Sequence, residues 1–139
     1  MSQHNVILLL GSNLGNTKDN IEIALTEIEK DIGKIIKKSK FLTTEPIEFV
    51  SSNFFCNIAI VIATHYSPIT LLKRIKEIER NMGRIKDSAV IGTYEDRIID
   101  IDIVTFDCII FEAKNLKIPH QKHILDRFFS IELLKNLGE

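Results

Sequence analysis

The sequence predicts an α/β domain of the α+β kind. It has a βαββαβ core with a mostly antiparallel sheet, followed by a short β extension and a C-terminal helix. Three observations predict this. Two segments carry apolar residues at helical spacing, each opened by a capping side chain. Short β-branched apolar runs surround them. The order of the two kinds of segment is that of the split βαβ, or ferredoxin-like, pattern. Both long helices then lie on one face of the sheet, and the last helix and the loops are available to cover the other.

"NVILLLG", residues 5–11, reads as a buried strand ending at a glycine. "NTKDNIEIALTEIEKDIG" follows, with Ile21, Ala24, Leu25, Ile28 and Ile32 on one helical stripe. Asn16 or Thr17 can cap it, and Gly33 is expected to close it. "KIIKKSKFLTT" reads as one strand with a wet face, and "EPIEFVSSN" as a loop. "FFCNIAIVIAT" is the strongest strand signal in the chain. Ser67 as N-cap and Pro68 at the first helical position open a second helix, which Gly83 ends. Its stripe is Leu71, Leu72, Ile75, Ile78 and Met82. A polar loop, "RIKDSAVIGTYED", leads into the strand "RIIDIDIVTF". "DCIIF" and "KNLKIPH" suggest a hairpin, and "HILDRFFSIELLKNLG" a closing helix.

The bulk numbers fit one domain, residues 1–139, with a formal net charge of -1, 45% hydrophobic and 27% charged residues. Such a balance gives no overall attraction to nucleic acid or acidic membrane surfaces. No apolar run is long enough to span a bilayer, and the start does not read as a signal peptide. Cys56 and Cys108 sit in apolar runs and read as buried free thiols, which suits a cytoplasmic setting.

Residues able to carry chemistry fall into four groups. Asp100 and Asp102 are i and i+2 on a strand, so they share a face with Cα atoms roughly 6–7 Å apart. Ile99, Ile101 and Ile103 then face the core. Two carboxylates on one side need solvent, a partner such as Arg97, or hard cations, and Mg²⁺ is the cation such oxygens suit. A solvated strand face with an Asp–Arg pair is the plain alternative. "GSNLGN", residues 11–16, places a glycine turn at a helix start, either an anion-facing turn or only a turn and cap. It lacks the G-x-x-x-x-G-K-[ST] and G-x-G-x-x-G patterns. Arg84 and Lys86, past a helix end, can reach a polyphosphate or simply complement the helix dipole. His120 follows Pro119, and no histidine pairs with a cysteine at zinc-ligand spacing, which argues against zinc. Asn57, Phe55 and Ala59 share a strand face and outline a flat slot near Thr44 and Phe54, and Asn57 is an odd choice on an apolar strand unless its amide meets a polar partner.

Together these stretches resemble the 6-hydroxymethyl-7,8-dihydropterin pyrophosphokinase family. The resemblance rests on "LLLGSNLGN", "TTEPIEF", "NFFCNIAIVIAT", "IKEIERNMGRIK", "RIIDIDIV" and "IPHQKH", and runs through the chain. Arg97, Asp100 and Asp102 match the family's arginine and D-[LIV]-D strand at the right spacing. The resemblance implies ATP as co-substrate, two Mg²⁺ ions, pyrophosphoryl transfer to the pterin hydroxymethyl group, and release of AMP. It implies that Asp100 and Asp102 hold the metals and act in catalysis with Arg97 and Arg84. Thr44, Ile47, Phe55, Asn57 and Phe129 would line the pterin slot, and Arg84, Lys86, Arg97, His120 and Arg127 would face ATP. A monomer acting on small molecules, without nucleic acid or membrane partners, is expected. The chain departs from the family at residues 93–96, where "TYED" replaces the usual R-W-G-P, and between His120 and Arg127, where it carries one extra residue. Two other classes stay open: a ferredoxin-like small-molecule-binding module, and a degenerate pterin-binding protein without turnover. An RNA-binding sheet is disfavoured because "VILLL" offers no aromatic for stacking.

Overall fold

A computed structural model describes residues 3–44, 54–83, 97–126 and 128–137. Strand β1 (His4–Ser12) is followed by helix α1 (Thr17–Asp31), then β2 (Gly33–Lys38), β3 (Leu42–Thr44) and β4 (Phe55–Thr64). Helix α2 (Pro68–Asn81), β5 (Asp100–Phe106), β6 (Phe111–Ala113), β7 (Leu116–Ile118), a π-helical turn (Lys122–Asp126) and α3 (Phe128–Leu137) complete it. The main sheet runs β2-β4-β1-β5, with β3 also on β4, and every pairing is antiparallel. β1 therefore separates β4 from β5, and β4 separates β1 from β2, so both βαβ units are split as expected.

The caps are as read from the residues. The Asn16 side chain accepts from the Asp19 N–H at 3.2 Å, and Ser67 Oγ accepts from the Thr70 N–H at 3.3 Å, with Pro68 at the helix start. Gly83 ends α2 at φ +109. Gly33 does not close α1; Ile32 is the C-cap and Gly33 begins β2. Its lack of a side chain serves a close strand approach, since a Cβ there would lie 2.0 Å from the Ala63 carbonyl oxygen.

The single strand expected over "KIIKKSKFLTT" is two strands. At the break, Ser39 takes over the ladder: its N–H donates to Ala59 O at 2.8 Å and its Oγ accepts from the Ala59 N–H at 2.9 Å. The next residue turns to α3, where Asn136 Oδ1 accepts from the Lys40 N–H at 2.7 Å.

One sheet face packs on α1 and α2 through Leu8, Leu10, Ile21, Ile28, Ile75 and the isoleucines Ile99, Ile101 and Ile103. Each such side chain contributes about 1.5–3 kcal/mol when fully buried. On the other face α3 is the cover, with Leu133 and Leu137 over Leu9, Ala59 and Val104. That cover reaches only the apolar end of the face. At the other end the strands carry polar residues, and there the site lies.

Cys56 is buried as expected, and burial pushes its thiol pKa up against the opposing pull of Lys18. Cys108 is exposed, contrary to the expectation, because it sits in the turn after β5 rather than inside a strand. Ellman titration of the native protein should modify one thiol quickly and a second only on unfolding. Two fast thiols would contradict the packing around Cys56.

Candidate active site

The polar end of the sheet is built by register. Gly11 lies opposite Asn57 on one side and Asp100 on the other, and Leu9 lies between Ala59 and Asp102. Adjacent strands are about 4.8 Å apart, so Asn57 and Asp100 stand roughly 10 Å from each other across Gly11. Gly11 keeps this row open: a Cβ there would meet Asn57 Oδ1 at 3.0 Å and the Phe55 ring at 3.4 Å.

At one end of the row, buried Asn57 donates from Nδ2 to Thr44 Oγ1 at 2.9 Å and to Leu42 O at 3.2 Å. The amide thus meets polar partners, as its place on an apolar strand required, and the resemblance's implication that it both gives and accepts toward the pterin edge is corrected. Both N–H donors are committed inside the protein, and Oδ1 is the atom turned toward Gly11. Phe55 shares the face and is partly exposed, while Phe54 is exposed.

At the other end, Arg97 Nη1 lies 3.3 Å from Asp100 Oδ1, with side-chain exposures of 11% and 23%. The arginine is fixed from behind by the "GSNLGN" turn. Asn13 Oδ1 accepts from the Arg97 N–H at 2.7 Å, and the Asn13 N–H donates to Arg97 O at 3.1 Å. Asn20 braces the same turn through Leu14 O at 2.8 Å and Ser12 Oγ at 3.3 Å. The Asn13 N–H that an anion would use thus binds Arg97 instead, and the turn serves as a clamp.

Asp102 Oδ2 lies at hydrogen-bond distance from His123 Nε2, 2.7 Å, and His123 Nδ1 lies 2.6 Å from Ser130 Oγ. Asp102 is partly exposed, whereas His123 and Ser130 are buried. The ring of His120 stands 4.2 Å from that of His123, and the His120 N–H donates to Val104 O at 2.8 Å. Residues Lys122–Asp126, just after His120, form a π-helical turn, which accommodates more residues per turn than an α-helix.

Behind the acidic pair sits Glu79, 1% exposed on α2. Its Oε2 accepts from the Ile101 N–H at 2.8 Å, and Lys76 Nζ lies 3.4 Å from Oε1. β5 is the sheet edge, and Ile101 is the residue between the two aspartates, so this carboxylate sets the strand that presents them. Glu79→Ala should cost about 1–3 kcal/mol by stranding a buried N–H, with Glu79→Gln losing less. Thermal melts check this; equal losses in both variants would remove the hydrogen bond as the cause.

The structure therefore brings together Thr44, Phe55, Asn57, Arg97, Asp100, Asp102 and His120 on one sheet face and its rim. Ile47, Arg84, Lys86, Arg127 and the "TYED" segment lie outside the described residues. Phe129 belongs to α3 by its backbone, and its side chain is likewise outside them. Asn13, Glu79, His123 and Ser130 were missed from the sequence. For His123 the signal was its spacing of three from His120; for the others, partners distant in sequence give no local signal.

A ferredoxin-like α/β domain with an arginine-backed acidic strand beside an amide-and-aromatic slot is the class that fold and site define. Within that class, a family profile described as 7,8-dihydro-6-hydroxymethylpterin-pyrophosphokinase (HPPK) matches residues 7–138, and the chain belongs to this family. Its relatives include a Porphyromonas gingivalis 2-amino-4-hydroxy-6-hydroxymethyldihydropteridine pyrophosphokinase, 34% identical over 116 residues, covering 83% of this chain and 78% of that protein. The folic acid synthesis protein fol1 of Schizosaccharomyces pombe is 37% identical over 114 residues, 81% of this chain but 15% of that protein. The chain thus spans only a small part of some longer relatives. A crystal structure of a Plasmodium falciparum HPPK-DHPS variant with pterin and p-hydroxybenzoate superposes with a TM-score of 0.74 at 20% identity, over 98% of this chain and 40% of that one, which supports the fold. No helix among the described residues is long and apolar enough to cross a membrane.

Proposed function

We propose that this chain transfers the β,γ-pyrophosphoryl group of ATP to the hydroxymethyl group of 6-hydroxymethyl-7,8-dihydropterin, forming the pterin diphosphate and AMP. The observation that carries the reading is the row Asn57–Gly11–Asp100. A bicyclic ring with a one-carbon arm, seated on Phe55 against Asn57, projects its hydroxyl across the Gly11 gap toward the acidic strand. Asn57 Oδ1 accepts from the ring's N–H edge, with Thr44, Ile47 and Phe129 completing the slot.

The acidic pair fits hard cations: two partly exposed carboxylates share one face, and their backing is fixed by Glu79 and Arg97. Asp100 and Asp102 would hold two Mg²⁺ ions, which when bound neutralise phosphate charge and favour ionisation of the acceptor hydroxyl. Arg97, clamped by Asn13, holds a phosphate oxygen in line, and Arg84, Lys86, His120 and Arg127 take the rest of the triphosphate. The hydroxyl oxygen attacks the β-phosphorus as its proton passes to solvent, the Pα–O–Pβ bridge breaks, and AMP leaves with the bridging oxygen. Positioning and charge neutralisation carry most of such a transfer. The small-molecule chemistry needs no second subunit, and we infer a monomer; the exposed free thiol of Cys108 is consistent with the reducing cytoplasm.

AMP should form from ATP only when both the hydroxymethyl-dihydropterin and Mg²⁺ are present. Equal AMP without the pterin, or pterin binding with no AMP at all, would overturn the reading, the latter in favour of a binding module.

A further inference from the structure

We propose that Asp102, His120 and His123 form a site for a divalent transition metal of the Zn²⁺ or Co²⁺ type. The site shares Asp102 with the Mg²⁺ pair proposed above, but its binding chemistry does not depend on that reading. One ligand atom from each of the three residues lies within 4.8 Å of the others. Two imidazoles and a carboxylate are a donor set for borderline metals, whereas Mg²⁺ seeks oxygen. Three protein ligands with room for water describe an open zinc centre. The expectation against zinc considered only histidine with cysteine; the fold supplies an aspartate from β5 instead.

The neighbours are arranged for it. His123 is buried and its Nδ1 is 2.6 Å from the buried Ser130 Oγ. With Nδ1–H donating to that hydroxyl, Nε2 offers its lone pair to an ion beside Asp102. This is the outer-partner arrangement that fixes a ligating histidine's tautomer. In the metal-free chain the 2.7 Å contact with Asp102 takes the ring N–H on Nε2; metal binding places that N–H on Nδ1 instead, facing Ser130 Oγ. His120 and Asp102 are partly exposed and leave an entry path, while His123 anchors. The His123 Nε2–Asp102 Oδ2 separation of 2.7 Å is that of a hydrogen bond. Around a tetrahedral ion with bonds of about 2.0–2.1 Å the two atoms sit roughly 3.3 Å apart, so Asp102 shifts by about half an ångström. His120 closes in by turning its partly exposed ring.

Co²⁺ titrated into the metal-free chain, without nucleotide, should give one saturable equivalent with visible ligand-field absorption, displaced by Zn²⁺. His120→Ala and His123→Gln should each weaken it at least about tenfold, and Ser130→Ala by about 10- to 100-fold. Asp100→Asn should leave it within about threefold, which separates this site from the acidic pair. The partly exposed His120 makes His120→Ala a variant that folds, with circular dichroism as the check. Absence of a saturable signal up to about 1 mM, or a signal that follows His4 and its partner Asp107 instead, overturns the proposal. Its failure leaves pterin-dependent AMP formation untouched, and failure of that assay leaves the metal titration intact.

Discussion

Asp100→Asn and Asp102→Asn should each lower turnover by roughly 10³-fold or more, about 4 kcal/mol of transition-state stabilisation, with little change in Tm. The two halves of this expectation have separate physical sources. Stability resides in the opposite face of β5, where Ile99, Ile101 and Ile103 are buried in the core. The aspartates face outward and are partly exposed, so removing a charge there disturbs no packing. Catalysis depends on the charge itself, because asparagine keeps the shape and loses the anion that a hard cation needs. The two variants should differ in their side effects. Asn at 102 still offers an oxygen to His123 Nε2, so that contact survives. Asn at 100 removes the charge of the Arg97–Asp100 contact, so Arg97 is held less firmly at that point while turnover falls. Steady-state rates against Mg²⁺ concentration, with melts alongside, check both. Retention of more than about a tenth of the activity by either variant would remove that carboxylate from the metal role.

Much of this architecture was legible because local rules and tertiary demands agree. The "RIIDIDIVTF" strand alternates by residue, and the core took the isoleucines as alternation requires. Asn16 and Ser67 cap their helices through contacts three residues on, well within the reach of local reading. What was not legible depends on partners far along the chain. The break between β2 and β3 is stabilised by Ser39 bonding Ala59, twenty positions away. Glu79 lies next to the apolar stripe of α2 and would ordinarily be solvated, yet it is buried against an edge strand that a helix pattern cannot reveal. The "GSNLGN" turn suggested an anion contact; whether its Asn13 N–H meets a ligand or Arg97 is decided by where residue 97 arrives in space. In the site, residue types and order pointed to the acidic strand and the slot. The internal commitment of the Asn57 amide and the His123–Ser130 chain needed three dimensions.

Gly11→Val should raise the KM for the pterin by about two orders of magnitude, roughly 3 kcal/mol, while ATP and Mg²⁺ binding stay near their original strength. Gly11 is not there for an unusual backbone, since it sits in a regular strand paired on both sides. It is there for space. An alanine Cβ would already stand 3.0 Å from Asn57 Oδ1, closer than ordinary contacts, and 3.4 Å from the Phe55 ring, in contact with it. Alanine therefore pushes on the slot by a few tenths of an ångström, and valine adds two methyls over the gap that the ligand's arm must cross. Valine is a good strand residue, so the pairing of β1 with β4 and β5 is retained. The polar atom that would receive the ring's N–H edge is also the atom that the new side chain meets first, so binding loses both room and its acceptor. Alanine should fall between glycine and valine. Titrations of each variant with a pterin analogue and with a non-hydrolysable ATP analogue separate the two ends of the row. Equal weakening of both ligands would mean that the strand had moved as a whole, and an unchanged pterin affinity in the valine variant would place the slot elsewhere.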